Sequence, residues 1–146
     1  MKPDWDELGR QALEARQHAY CPYSGFSVGA AVLGSSGRIF TGCNVENSSY
    51  GLSVCAERTA LLKAVSEGER RILAMAVASD ADRPVTPCGA CRQMLTEFNP
   101  RLPIVLITPR GLREKTDLAR LFPRPFGQKT GYVSSGSPSD DSDGMT

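Results

Sequence analysis

The 146-residue chain contains one histidine, His18, and one tryptophan, Trp5. A single histidine excludes every mechanism that needs two imidazoles from one chain. A Ser-His-Asp triad would have to use His18, which sits in a polar helical stretch and is poorly placed to serve a nucleophile. No apolar run reaches the ~18–20 residues of a membrane span. The opening MKPDWDELGRQ lacks the apolar segment of a secretory leader, so a cytoplasmic protein without a membrane partner is expected. Neither sign of charge dominates: 17 Lys and Arg stand against 16 Asp and Glu, a net charge of +1. There is no basic stripe with interleaved aromatics, and no nucleic-acid partner is expected.

The length suits one domain with a full core. The last 13 residues hold three of the acidic residues, five serines and no Lys or Arg, which leaves +4 on residues 1–133. We therefore expect a domain over 1–133 and a disordered acidic tail over 134–146.

Five cysteines are present: Cys21, Cys43, Cys55, Cys88 and Cys91. An odd number without a leader argues against a disulfide framework and for metal binding, redox chemistry or simple burial.

Asp4 and Glu7 have capping-box spacing, and Leu8, Ala12, Ala15 and Ala19 form an apolar stripe. They predict a helix ending near Tyr20, because Pro22 disfavours helix at Cys21. Ser27–Leu33 and Arg38–Val45 read as strands joined by the Ser35-Ser36-Gly37 turn. Further strands are expected over Ile72–Ser79, Pro103–Thr108 and, at an edge, Leu112–Lys115. Helices are expected over Cys55–Glu67, Gly89–Phe98 and Asp117–Leu121. Strands alternating with helices favour an α/β fold with a mostly parallel sheet covered on both faces.

Cys55 opens one predicted helix, and Cys88 and Cys91 open another. Helix N-termini stabilise thiolates, and Cys88 and Cys91, three apart, share a face of the first turn. Three thiolates arriving from two directions suit tetrahedral Zn²⁺, leaving its fourth position to a water or hydroxide, the catalytic pattern. Glu57 lies two residues from Cys55 and reaches the same site only if Cys55 sits at the cap, outside the regular turn. Arg58, three residues on, would draw charge off the sulfurs. A Cys-x-x-Cys redox pair remains an alternative, as does a structural zinc that takes Cys21 or Cys43 as a fourth ligand.

Cys55-Ala-Glu followed after 29 residues by Pro87-Cys-Gly-Ala-Cys resembles the zinc-dependent cytidine deaminases. The flanks Tyr20-Cys-Pro-Tyr-Ser-Gly-Phe-Ser-Val-Gly-Ala-Ala, Gly42-Cys-Asn-Val-Glu-Asn and Cys55-Ala-Glu-Arg-Thr-Ala are similar to the small homotetrameric nucleoside enzymes of that family. The likeness covers roughly residues 5–127.

The resemblance implies a three-layer α/β/α sandwich with a mixed, roughly five-stranded sheet. It implies one Zn²⁺ per chain on Cys55, Cys88 and Cys91. Glu57 would take the proton of the zinc water, protonate N3 of cytosine and help ammonia leave, while hydroxide attacks C4. The Ala56 amide would hold the pyrimidine O2, and Asn44 and Glu46 the ribose 3′-hydroxyl. Phe26 would stack on the base and Val28 would line the pocket. Tyr50 and Phe126 would reach into neighbouring subunits' sites.

The implied reaction is hydrolysis of cytidine and 2′-deoxycytidine to uridine and 2′-deoxyuridine in pyrimidine salvage. Its rivals are a deaminase of the blasticidin S type and a structural-zinc interaction module.

Overall fold

The computed structural model describes residues 1–127. The expected end of the domain at 133 and the expected tail over 134–146 lie outside the described residues. In chain order the elements are α1 (Trp5–Arg16), β1 (Val28–Gly34), β2 (Ile39–Cys43), α2 (Ala56–Ser66), β3 (Ile72–Ser79), α3 (Gly89–Phe98), β4 (Pro103–Ile107), β5 (Arg113–Asp117) and α4 (Leu118–Leu121). A single 3-10 turn, Tyr50–Leu52, lies between β2 and α2.

Asp4 caps α1, its carboxylate accepting from the Glu7 amide at 3.1 Å. Only this half of the capping box forms, because the Glu7 carboxylate turns forward onto Arg10 and Gln11. The helix ends at Arg16, earlier than expected. The chain beyond it is drawn into a bridge, in which the Tyr20 amide donates to Asn44 O at 2.9 Å and Tyr20 O accepts from the Glu46 amide at 2.8 Å. That pairing beats one more turn of helix, since Pro22 would end the helix there anyway.

The alternation of elements predicted a mostly parallel sheet, and this needs correction. The five strands run in the order β2-β1-β3-β4-β5, and only β3 and β4 pair in parallel. β1 is antiparallel to both β2 and β3, and β5 is antiparallel to β4. The reason lies in where the first crossover lands. α2 joins β2 to β3, which run the same way but are separated by β1. The crossover therefore connects parallel strands, and the hairpin partner fills the gap between them. The mixed five-stranded sheet is the one the family resemblance implied.

The sheet is buried on both faces. Val32, Phe40, Met75, Ile104 and Leu106 join Leu61 of α2, Leu95 of α3 and Leu118 of α4 in one core. Ala31, Ala74, Ala76, Ala78 and Val105 join Leu8 and Ala12 of α1 in the other. β3 thus sends Met75 and Val77 one way and three alanines the other, and so reads as an unbroken apolar run.

Two glycines set the distance between layers. A Cβ on Gly29 would overlap Ala12 O and Arg16 N of α1, and one on Gly42 would run into Ala60 N and Thr59 of α2. Each helix backbone rests directly on the strand where the side chain is absent. Gly29→Ala is expected to cost about 1–3 kcal/mol of stability in urea unfolding, the usual penalty for overpacking. Gly51→Ala, with nothing within 4 Å of the added Cβ, is expected to stay within about 0.5 kcal/mol of the parent.

Candidate active site

Because β2 and β3 run in the same direction, the helices that follow them start at the same edge of the sheet. Cys55 is the N-cap residue of α2, with extended backbone (φ −73°, ψ 155°), and Cys88 is the N-cap residue of α3 (φ −69°, ψ 171°). Neither side chain caps its own helix, so both sulfurs are free to point elsewhere. Cys91 follows in the first turn of α3 and is fully buried.

The Cys88 sulfur stands 3.8 Å from that of Cys55 and 3.4 Å from that of Cys91, and all three lie within 4.8 Å of one another. Thiolates on a tetrahedral zinc at ~2.3 Å stand about 3.8 Å apart. The donor set therefore fits one Zn²⁺ per chain. Cys21 and Cys43 are outside this cluster, so among the described residues no fourth thiol completes a structural site.

The three sulfurs are electrostatically unequal. Cys55 is held down to about 5 by a hydrogen bond from the Cys91 thiol, with help from the Arg58 guanidinium. Cys91 is pushed up by its bond to Cys55 and by burial, so Cys55 ionises first. Arg58 Nη2 stands 3.6 Å from the Cys55 sulfur, and this contact raises the guanidinium's own pKa.

Glu57 sits in the first turn of α2, 6% exposed, and burial pushes its carboxyl up to about 7. The cap position of Cys55 is what lets residues two apart face one site.

A cavity of about 280 Å³ opens over the cluster. Phe26, Val28, Asn44, Glu46, Ala56, Glu57, Cys55 and Cys88 line it. Ala56 is fully buried, and its amide, in the first turn, has no helical acceptor. Asn44 uses both ends of its carboxamide on the cavity wall: Oδ1 accepts from the Val28 amide and Nδ2 donates to Phe26 O, each at 2.8 Å. Glu46 accepts from the amides of Tyr23 (3.0 Å) and Ser24 (3.1 Å) and from the Ser24 hydroxyl. The hydroxyl bond holds the carboxyl below the usual carboxylate range. Each group keeps lone pairs or a proton free for a ligand.

Tyr50 and Phe126 are not brought to this cavity. Both are strongly exposed, at 74% and 77%. Tyr50 meets Tyr23 edge-on at 5.7 Å, and the Phe126 carbonyl accepts from Gln93 Nε2. Sequence reasoning missed Ser24, Val77, Ser79, Val85 and Thr86, all on the cavity wall. Ser24 lies in a Tyr-Ser-Gly turn and Ser79 at the carboxyl end of β3, positions that local pattern does not connect. The buried Ser79 hydroxyl has no partner among the described residues.

Comparison with known proteins agrees with this geometry. The pattern described as "Cytidine and deoxycytidylate deaminase zinc-binding region" matches residues 3–107. The chain belongs to this family. The curated cytidine deaminase of Sporosarcina psychrophila is 48% identical over 127 residues, covering 86% of this chain and 93% of that protein. The crystal structure of cytidine deaminase from Burkholderia pseudomallei matches with a TM-score of 0.80 at 46% identity, covering 83% of this chain and 98% of that one. The cytidine deaminase of Mycobacterium tuberculosis gives 0.76 at 42%, over 87% of this chain and 100% of that one.

Elemental analysis of purified protein should find one zinc per chain. Cys91→Ser should lose the metal, whereas the double variant Cys21→Ser/Cys43→Ser should retain it.

Proposed function

We propose that this family member is a zinc-dependent hydrolase that converts cytidine and 2′-deoxycytidine to uridine and 2′-deoxyuridine, releasing ammonia. The observation that carries this reading is one cleft holding three thiols spaced for zinc together with a buried carboxylate, Glu57. Relatives named cytidine deaminases support it over an antibiotic-deaminase reading.

Zinc held by Cys55, Cys88 and Cys91 supplies Lewis acidity that lowers the pKa of water. Glu57 moves the protons. Its carboxylate accepts one from the attacking water and returns it to N3 of the ring, and it then assists the amine leaving C4. Water adds at C4 and ammonia departs, so the balance is one water consumed and one ammonia released. Phe26 and Val28 offer an apolar wall to the pyrimidine, and the Ala56 amide a donor to its O2. Asn44 and Glu46 meet the 3′-hydroxyl with the hydrogen-bonding capacity left over from the loop. Arg58 draws charge from Cys55, which keeps a three-thiolate site from becoming too electron-rich to activate water.

The wider reading has three further parts. Five free cysteines and a thiol-based metal site suit a reducing, cytoplasmic compartment. The domain is taken as residues 1–133, with 134–146 an acidic extension beyond it. The enzyme is a homotetramer in which Tyr50 and Phe126 close a neighbour's cleft. The exposure of both rings outside their own chain's cavity supports this last part.

Glu57→Gln should keep zinc and fold but lose at least about 10²–10⁴-fold in kcat, read as ammonia released from cytidine. Full activity in that variant would remove Glu57 from the mechanism. Light scattering should give a mass four times that of the chain, and Tyr50→Ala should raise KM for cytidine. An active monomer would exclude the shared site.

A further inference from the structure

The segment joining β3 to α3, residues 80–88, has no helix or strand of its own. It nevertheless supplies the Cys88 sulfur and the cavity wall at Val85 and Thr86. Holding a ligand atom in place on such a segment requires anchors, and an arginine stands at each end. At the start, Arg16 of α1 pairs with Asp80 at 2.6 Å, and the other Asp80 oxygen accepts from the Ser27 amide at 3.3 Å. At the end, Arg92 reaches back from the first turn of α3. Its Nε donates to Pro87 O at 2.8 Å and its Nη2 donates to Thr86 Oγ1 at 3.1 Å. Its Nη1 donates to Leu121 O, at the end of α4, at 3.0 Å.

Nε and Nη2 lie on one edge of the guanidinium plane, so that edge grips the two residues immediately before Cys88. The remaining nitrogen ties them to α4. All three acceptors are neutral, so the contact is one of geometry rather than charge pairing. A lysine ammonium, as a point donor, does not reproduce a planar fork. Pro87 is buried, and its carbonyl needs this donor. Cys88 is the most exposed of the three thiols, Cys55 being intermediate and Cys91 buried. The exposed sulfur is the one a competing ligand reaches first, and the two residues before it are held by side-chain hydrogen bonds from Arg92.

We infer that Arg92 is a positioning residue that keeps Cys88 at the metal by fixing Thr86 and Pro87. The inference rests on the zinc reading above and concerns retention of the metal rather than the chemical step. The test is the rate at which the zinc-loaded protein gives up its metal to an excess of a chromogenic chelator. Arg92→Ala and Arg92→Lys should release zinc about 10–100-fold faster than the parent. Thr86→Val, which removes one acceptor, should accelerate release by a smaller factor and keeps the inference testable if Arg92→Ala fails to fold. Leu8→Ala, destabilised by a cavity in the core on the opposite face of the sheet, should release zinc at the parent rate.

Parent-rate release from both Arg92 variants would overturn the inference, and so would equal acceleration in Leu8→Ala, because that would reduce the effect to general stability. A parent protein that takes up no zinc would overturn the zinc reading itself, and this inference with it.

Discussion

Three sulfurs must meet within bonding distance of one point although they arrive on two different helices. Everything else in the domain serves that constraint. The helices start at one edge only because β2 and β3 run in the same direction on either side of β1. They start close enough only because Gly42 lets α2 settle against β2. Gly29 of β1 lets α1 settle in the same way on the other face of the sheet. A tetrahedral thiolate site tolerates displacements of a few tenths of an ångström. Packing distances set by absent side chains are well suited to that tolerance, since they have no rotamers to vary.

The polar groups of the cleft are built into its wall rather than placed on it. Asn44 and Glu46 hold the loop that carries Ser24 and Phe26, and the atoms they present to the cavity are those same side chains. Their orientation is therefore fixed before any ligand arrives, which lowers the ordering cost of binding. The same arrangement makes the loop's stability and the hydrogen-bonding capacity of the cleft wall properties of one pair of residues.

Much of this was legible in the sequence, because the informative features are local. Cys-Ala-Glu and Pro-Cys-x-x-Cys mark two helix starts. The demand that Cys55 and Glu57 face one site implies a cap position for Cys55, and the backbone has it. Three features resisted because they are decided by distant partners. The sheet's direction depends on where β3 docks, and alternation of elements carries no information about that. The end of α1 depends on a bridge between Tyr20 and Val45. What Ser24 and Arg92 bond to depends on segments distant in the chain, Glu46 and Leu121. Arg92 in particular reads as an ordinary helix-surface arginine until Pro87 O and Leu121 O are seen in front of it.

Anchoring residues 80–88 at both ends has a consequence for variation in the fold. The Arg16–Asp80 pair and the Arg92 grip act independently, one on each side of the stretch around Asp82 and Arg83, both exposed. Extra residues inserted there would lengthen a surface arc without moving either footing. Doubling such an arc costs only about 0.6 kcal/mol of loop entropy. This is a place where the cleft's rim can be lengthened, or a reporter peptide spliced in, while the metal-binding end of the segment stays where it is.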